Sequence, residues 1–168
     1  MSEAPRFRPG DILRVLQDAE VDFVVIGGLA SQAHGSPSLT GDIDICYERS
    51  PANLARLSAA LQELTAIRRG DEALARIPLD ARALRSGDVF TTSTRFGILD
   101  LLGNPDPGRT YDALRERAAS VPLHGRNVWV ASLDDLMAMK RAAGRPKDRI
   151  ELEILGALRE ELDRRAQD

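Results

Sequence analysis

The chain has 168 residues, of which 43% are hydrophobic and 29% are charged. This length suffices for one globular domain with a sizeable core but hardly for two, so we expect a single domain over residues 1–168. A net charge of -3 gives no indication that the protein as a whole attracts nucleic acid by positive charge. The single cysteine, Cys46, excludes an internal disulfide and a zinc cluster of cysteines. No apolar run approaches the roughly 20 residues of a membrane span, and we expect a cytoplasmic protein.

Helical and strand signals alternate in the first third of the chain. Apolar residues at helical spacing, β-branched runs and Gly or Pro boundaries define each element. The predicted order is a helix over 9–20, a strand over 21–26, a short helix over 29–34, a strand over 42–47 and a helix over 51–64.

The rest of the chain predicts further strands and a helical end. One or two helices interrupted by Pro78 are expected in 65–87, followed by strands over 88–94 and 95–102. A helix over 111–119, a hairpin over 121–130 and helices over 133–143 and from 146 onward complete the prediction. We therefore predict an α/β (α+β) fold in which helices flank a mixed sheet of short strands. Its core would span about 10–105, and a C-terminal hairpin and helices would span about 110–166.

The most informative feature is the acid pair Asp42 and Asp44. Ile43 and Ile45 alternate with the acids, so on a strand both carboxylates share one face and the isoleucines share the other. Two neighbouring carboxylates repel each other unless a cation lies between them. A divalent metal site is the first hypothesis, and solvated charges on an edge strand are the alternative.

Asp100 lies in a second strand, where alternation places it among apolar side chains. An ionised carboxylate there needs a cation, strong donors or a raised pKa. A buried salt bridge to Arg95 or Arg109 is one solution. The sharper hypothesis is a third metal ligand beside Asp42 and Asp44. Three carboxylates without a histidine or cysteine cluster suit Mg²⁺ or Mn²⁺ rather than zinc.

Gly27-Gly28 ends the first strand and precedes a helix. Glycines let a backbone approach a ligand closely, and a helix N-terminus favours a phosphate, although a tight strand-to-helix turn is an equally simple explanation. Ser31, in the first turn of the predicted helix, would add a hydroxyl or be an ordinary polar residue near a helix start. With the three carboxylates, a phosphate turn indicates phosphoryl or nucleotidyl transfer.

These motifs together resemble the polymerase β-like nucleotidyltransferase superfamily over most of the chain. The resemblance rests on Gly27-Gly28, His34-Gly35, Thr40-Gly41-Asp42-Ile43-Asp44 and Asp100. Within the superfamily, the later helix is similar to that of abortive-infection toxin nucleotidyltransferases of type IV toxin–antitoxin systems. The matching residues are Lys140, Arg145 and Lys147-Asp148.

The resemblance implies a nucleotidyltransferase fold and an NTP substrate, with a tRNA, a protein or a small molecule as acceptor and an antitoxin as partner. Asp42, Asp44 and Asp100 would bind Mg²⁺ or Mn²⁺. Asp100 would also help to deprotonate the acceptor, and Lys140 would neutralise triphosphate charge. The residues that would hold the phosphates are Gly27, Gly28 and Ser31.

Two positions depart from the family pattern: Ser38 stands where an arginine is common, and Glu151 stands where an aspartate is usual. Ser38 opens the alternative of a non-catalytic nucleotide-binding or interaction protein on the same fold. An antibiotic-type small-molecule nucleotidyltransferase is a second alternative. For residues 140–148, the alternative is a charged, solvated helix end.

The remaining conspicuous residues have simpler interpretations. We interpret His34 as a helix-end residue and His124 as part of a hairpin turn. Trp129 is expected to pack in the core or in an interface rather than to stack on a base.

Overall fold

The computed structural model describes residues 3–106 and 108–168. Within them a seven-stranded mixed sheet is flanked by helices, as predicted. The elements in chain order are α1 (Pro9–Asp18), β1 (Phe23–Ile26), α2 (Gly27–Ala33), β2 (Asp42–Tyr47), α3 (Pro51–Glu63), β3 (Ile67–Arg68), α4 (Glu72–Ala75), α5 (Ala81–Ser86), β4 (Val89–Thr94), β5 (Gly97–Leu102), α6 (Tyr111–Arg117), β6 (Ala119–Leu123), β7 (Arg126–Val130), α7 (Leu133–Ala143) and α8 (Pro146–Gln167).

The strand order is β3-β4-β5-β2-β1-β7-β6. β2 pairs parallel with β5 and β1 pairs parallel with β7, whereas the other neighbours are antiparallel. This order places the two acidic strands, β2 and β5, side by side in the middle of the sheet. The C-terminal hairpin of β6 and β7 joins the same sheet through β1.

The two faces of the sheet differ in chemistry. Ile43 is paired with Leu99 and Ile45 with Leu101, and all four side chains are fully buried on what we call the core face. The core face packs on α5 at one end, where the Tyr47 hydroxyl donates a 2.8 Å hydrogen bond to the Leu84 carbonyl. Because side chains alternate along a strand, the intervening acids lie on the opposite face. We call this second face the acid face.

Local sequence signals set most helix boundaries. Among the described residues, five helices begin at a side chain that accepts a hydrogen bond from the backbone three residues on, which satisfies one free helical N–H. These N-caps are Ser50, Asp71, Asp80, Thr110 and Ser132. α7 ends at Gly144, whose φ of 64° is a left-handed conformation that glycine adopts without strain.

The predicted elements are confirmed with shifted ends and one omission. β3 is missed because two residues, one of them exposed, carry no periodic signal. β5 begins at Gly97 rather than at residue 95, because Arg95 and Phe96 form the turn of the β4–β5 hairpin. Among the described helices, none is both long enough and apolar enough to cross a bilayer.

Candidate active site

The acid face brings Asp42, Asp44 and Asp100 together. Asp44 on β2 lies directly opposite Asp100 on β5 in the strand register. One carboxylate oxygen from each of the three residues lies within 4.8 Å of the others. The two adjacent strands therefore bring the three carboxylates to one place. We call Asp42, Asp44 and Asp100 the acid triad.

The electrostatics of the acid triad are those of a cation site. Burial, followed by the charges of Asp42 and Asp100, raises the pKa of Asp44 to about 7, against an opposing effect of Lys140. Burial and Asp42 also raise the pKa of Asp100, although Asp44 and Arg69 act in the opposite direction. Without a cation, Asp44 therefore keeps its proton up to about neutral pH.

Asp100 also carries an unsatisfied oxygen. Its Oδ1 is buried and has no hydrogen-bond partner among the described residues. The salt bridge considered as an alternative is not formed there: Arg109 pairs with Asp106 and Asp135, and Arg95 stacks on the Phe96 ring. A hard divalent cation is the partner that such an oxygen lacks, so the residues present fit Mg²⁺ or Mn²⁺.

Asp42 is oriented by its neighbour in the sequence motif. The Thr40 hydroxyl donates a 2.9 Å hydrogen bond to Asp42 Oδ1. The same hydroxyl approaches Gly28 so closely that a Cβ at position 28 would lie 2.9 Å from it. Thr40 is part of the sequence motif, but its contact with the Asp42 carboxylate is seen only in the folded structure.

Gly27 is required by the position of Asp44. Its φ is +67°, and a Cβ placed there would overlap the Asp44 carboxylate. The turn at Gly27-Gly28 is thus tight because α2 packs against β1 and β2. Because neither glycine has a side chain, the backbone there is also open to the cleft.

Ser31 does not lie at the cleft. The prediction assumed that the helix starts at Leu29, which would place Ser31 in its first turn. Because α2 begins at Gly27, Ser31 is instead its fifth residue, beyond the free N–H groups of the N-terminus. Its side chain is fully buried and does not line the cleft, so the structure gives no support to a phosphate contact.

The acid triad opens into a cleft of about 450 Å³ between the sheet and the C-terminal helices. Its walls combine polar and apolar residues. The side chains and backbone that line it include Gly27, Gly28, Ser38, Leu39, Thr40, Met139, Lys140, Arg145, Lys147 and Glu151. α7 and α8 thus bring cationic groups to the side of the cleft that faces the acids.

Lys140 is held beside a buried carboxylate. Its Nζ lies 3.4 Å from Asp148 Oδ1, and Asp148 also accepts hydrogen bonds from the Arg145 Nε at 2.8 Å and the Arg145 backbone at 3.1 Å. Burial acts to raise the pKa of Asp148, but these bonds lower it below its usual value. Residues 140–148 therefore form a hydrogen-bonded network around a buried carboxylate rather than a freely solvated helix end. The Arg145–Asp148 pair does have the i,i+3 spacing expected for a charged, solvated helix end.

The two positions at which the resemblance implies a different residue contact each other. Ser38 Oγ donates a 2.7 Å hydrogen bond to Glu151 Oε2, and Ser36 Oγ donates one of 3.1 Å to Oε1. Both residues of the pair, Ser38 and Glu151, line the cleft. No short-range sequence signal links positions that are 113 residues apart.

The remaining conspicuous residues lie outside the cleft. A ring nitrogen of His34 is 2.8 Å from the Ala131 carbonyl oxygen, so His34 ties α2 to the segment after β7. His124 has a φ of 49° in the β6–β7 turn, which fits its predicted place. Trp129 is 38% exposed and lies outside the core, where the Arg115 guanidinium stacks 3.2 Å from its ring centre. The alternative expectation, packing in an interface, stays a prediction.

No protein-family model matches the chain, and no curated protein matches it in sequence. Solved structures do match it in fold. The lincosamide antibiotic adenylyltransferase LnuA has a TM-score of 0.62 at 12% identity, covering 92% of this chain and 99% of its own. ANT(2'')-Ia, solved with adenylyl-2''-tobramycin, has a TM-score of 0.54 at 16% identity, with coverages of 92% and 94%.

A third match is an antigenic nucleotidyltransferase-like protein from Paracoccidioides brasiliensis, with a TM-score of 0.55 at 16% identity and coverages of 92% and 78%. These similarities confirm the predicted nucleotidyltransferase fold. They show the fold alone, and the chemical role of this chain is inferred from its own residues.

Proposed function

We propose that this protein is a metal-dependent nucleotidyltransferase that moves an NMP unit from an NTP to an acceptor and releases pyrophosphate. The observation that carries the proposal is the convergence of three carboxylates from two adjacent strands, one of them with a buried, partnerless oxygen among the described residues. A purely structural cluster would have an arginine or lysine in contact with each acid.

Asp42, Asp44 and Asp100 would hold Mg²⁺ or Mn²⁺. Divalent ions bound there would make an attacking hydroxyl more acidic and neutralise the charge that develops on the phosphorus oxygens. The raised pKa of Asp44 supports this assignment, since a carboxylate that resists ionisation alone gains most from a bound cation.

The rest of the cleft suits the triphosphate. The open backbone at Gly27-Gly28 lets phosphates approach the sheet closely, next to the first N–H groups of α2. Lys140 and Lys147 on the facing helices supply positive charge to the non-bridging oxygens. Asp100 lies on the strand farther from the glycines, so we assign it the acceptor side, where it takes part in removing the acceptor's proton.

The nature of the acceptor is a separate question. A small molecule is the second candidate, because LnuA was solved with lincomycin and ANT(2'')-Ia with an adenylylated tobramycin. The toxin-like hypothesis instead requires a tRNA or protein acceptor and an antitoxin partner, and it rests on Lys140, Arg145 and Lys147-Asp148. A non-catalytic nucleotide-binding protein would bind NTP and metal without releasing pyrophosphate.

The proposal is tested by measuring pyrophosphate release from each of the four NTPs with Mg²⁺, in the presence of total RNA, lysate protein and an antibiotic panel. We expect wild type to release pyrophosphate and Asp42→Ala to lose about 100-fold or more of the rate. Asp163→Ala, which removes an exposed carboxylate on α8, is the matched control and should retain the wild-type rate. Equal release by all three proteins would contradict the proposal, and NTP binding without release by wild type would favour the non-catalytic alternative.

A further inference from the structure

A buried carboxylate outside the cleft joins the parts of the chain that form two of the cleft's walls. Asp135, in the first turn of α7, is 4% exposed, and its two oxygens accept hydrogen bonds of 2.8 Å each from Nε and Nη2 of Arg117. The Ser132 hydroxyl donates a third bond, of 3.0 Å, and Arg109 Nε lies 3.6 Å away. These contacts supply the cations and donors that an ionised carboxylate needs when it is buried.

The segment after β5 reaches this carboxylate through Arg109. The Arg109 guanidinium donates a 2.6 Å hydrogen bond to the Asp106 carboxylate, and the Arg109 backbone N–H donates one of 2.9 Å to the Asp106 carbonyl. We call Asp106, Arg109, Arg117 and Asp135 the ion cluster. It joins three parts of the chain: the segment after β5, the last residue of α6 and the first turn of α7.

The ion cluster borders the cleft without lining it. Among the described residues that line the cleft, none belongs to the ion cluster, but Pro105 is the sequence neighbour of Asp106, and Leu136 that of Asp135. Lys140, which also lines the cleft, follows Asp135 by less than two turns of α7. Because an α-helix is stiff over so short a length, the position of the first turn of α7 determines the position of Lys140.

The acid triad is held in place by different contacts. Asp42, Asp44 and Asp100 are fixed by the pairing of β2 with β5 in the middle of the sheet. The first turn of α7 is instead joined to the segment after β5 by charged side chains. A change in the ion cluster should therefore shift Lys140 relative to the carboxylates and leave the carboxylates themselves where they are.

We infer that Asp135 is a positioning residue for NTP binding. Through Arg109 and Arg117 it sets the separation between the segment after β5 and α7, and thereby the place of Lys140 over the cleft. The inference rests on the proposed function, in which Lys140 binds the triphosphate. Loss of the Asp135 charge then weakens NTP binding but not the binding of metal to the acid triad.

Binding of an NTP analogue with a methylene group in place of the α–β bridging oxygen, measured by calorimetry with Mg²⁺, tests the inference without requiring catalysis. Asp135→Asn keeps the shape of the side chain but removes the charge that holds two guanidinium groups. We expect its Kd for the analogue to rise about 10-fold and its Mn²⁺ affinity, from electron paramagnetic resonance, to stay within about twofold of wild type.

The matched control is Asp134→Asn, which changes the exposed neighbouring carboxylate, 3.4 Å from Arg159, and should preserve both affinities. In a Lys140→Ala background, Asp135→Asn should cause no further loss of analogue affinity, because its effect passes through Lys140. A merely structural role would instead give the same loss in both backgrounds, which would overturn the inference.

Three further results would also overturn the inference. They are unchanged analogue affinity in folded Asp135→Asn, an equal loss of Mn²⁺ affinity, and no analogue binding by wild type. If Asp135→Asn does not fold, Asp106→Asn takes its place, because it releases only the segment after β5. The Kd of Asp106→Asn for the analogue should rise about threefold, and an unchanged Kd would count equally against the inference.

Label transfer separates this inference from the proposed function. With α-labelled NTP and an acceptor, we expect Asp135→Asn to raise KM for the NTP about 10-fold and to keep kcat within about threefold of wild type. A fall in kcat with unchanged KM would overturn the inference and leave nucleotidyl transfer intact. Absence of transfer by wild type would count against the proposed function, while the calorimetric comparison would still decide the role of Asp135.

Discussion

Ser38 and Glu151, which both line the cleft, are joined by a 2.7 Å hydrogen bond from Ser38 Oγ to Glu151 Oε2. Both stand where the resemblance in the sequence implies a different residue, and in the fold they contact each other. The resemblance implies an arginine at position 38 and an aspartate at position 151, and here the Glu151 carboxylate accepts a hydrogen bond from the Ser38 hydroxyl. The bond ties the loop before β2 to α8 and thereby fixes the segment that carries Thr40.

Removing this link should weaken metal binding without removing a metal ligand. Glu151→Ala frees the loop, so the Thr40 bond that orients Asp42 becomes less stable. We expect a fall of about 10-fold in Mn²⁺ affinity, measured by electron paramagnetic resonance titration, because such supporting contacts are typically worth about 10- to 100-fold. Glu153→Ala, on an exposed position of the same helix, should bind Mn²⁺ like wild type. Unchanged affinity in Glu151→Ala would show that the link has no part in forming the site.

The raised pKa of Asp44 predicts a pH-dependent stability in metal-free protein. In the folded state its pKa is about 7, well above the ordinary value of an aspartate, so the folded protein binds the extra proton. The stability it contributes is present below about pH 4 and is lost as the pH rises to about 7. Allowing for partial solvent screening, we expect urea unfolding in EDTA to show a loss of about 2 kcal/mol between pH 5 and 7.5.

Asp44→Asn should flatten this pH dependence, whereas Asp112→Asn in the first turn of α6 should retain it. Added Mg²⁺ should restore the stability of wild type at pH 7.5 and have little effect on Asp44→Asn. An equally steep profile in both variants would assign the pH effect to other groups.

Gly27→Ala should destabilise the protein for two reasons that a control can separate. The backbone at Gly27 is left-handed, and the added methyl group would also overlap the Asp44 carboxylate. Gly125 has a similar φ of +79° but open space around its position. Thermal and chemical unfolding should therefore give a loss of about 1 kcal/mol for Gly125→Ala and about 3 kcal/mol for Gly27→Ala. Equal losses would mean that Asp44 moves aside without cost.

Lys140→Ala should impair use of the NTP more than it impairs folding. Asp148 keeps its bonds to Arg145 when Lys140 is removed, so the network survives, but the positive charge facing Asp44 is lost. We expect kcat/KM for the NTP to fall about 10- to 100-fold. Arg141→Ala, the next residue on α7 and an exposed one, should have little effect. An unchanged kcat/KM would leave Lys140 with a structural role only.

The sequence predicted what depends on short-range patterns. Alternation of Asp42 and Asp44 with isoleucines identified β2 and its acidic face, and the same reasoning placed Asp100 on a strand that pairs with it. β3 was not predicted because two residues are too few to show a periodic pattern. Ser31 was misplaced because the glycines, which favour a turn, are themselves the first residues of α2.

Contacts between distant segments needed the folded structure. Ser38 and Glu151 are conspicuous in the sequence, but their hydrogen bond depends on how α8 lies over the loop before β2. Trp129 is exposed because it alternates with the buried Val128 and Val130 and so lies on the other face of β7, and the sequence did not indicate which of the two faces is buried.

The central claim is nucleotidyl transfer by the acid triad, and comparing α-labelled with γ-labelled NTP tests it most directly. With Mg²⁺ and an acceptor, wild type should transfer the α-label covalently and release the γ-label as pyrophosphate, and Asp100→Asn should do neither. Transfer of the γ-label, or α-label transfer by Asp100→Asn at the wild-type rate, would contradict the account.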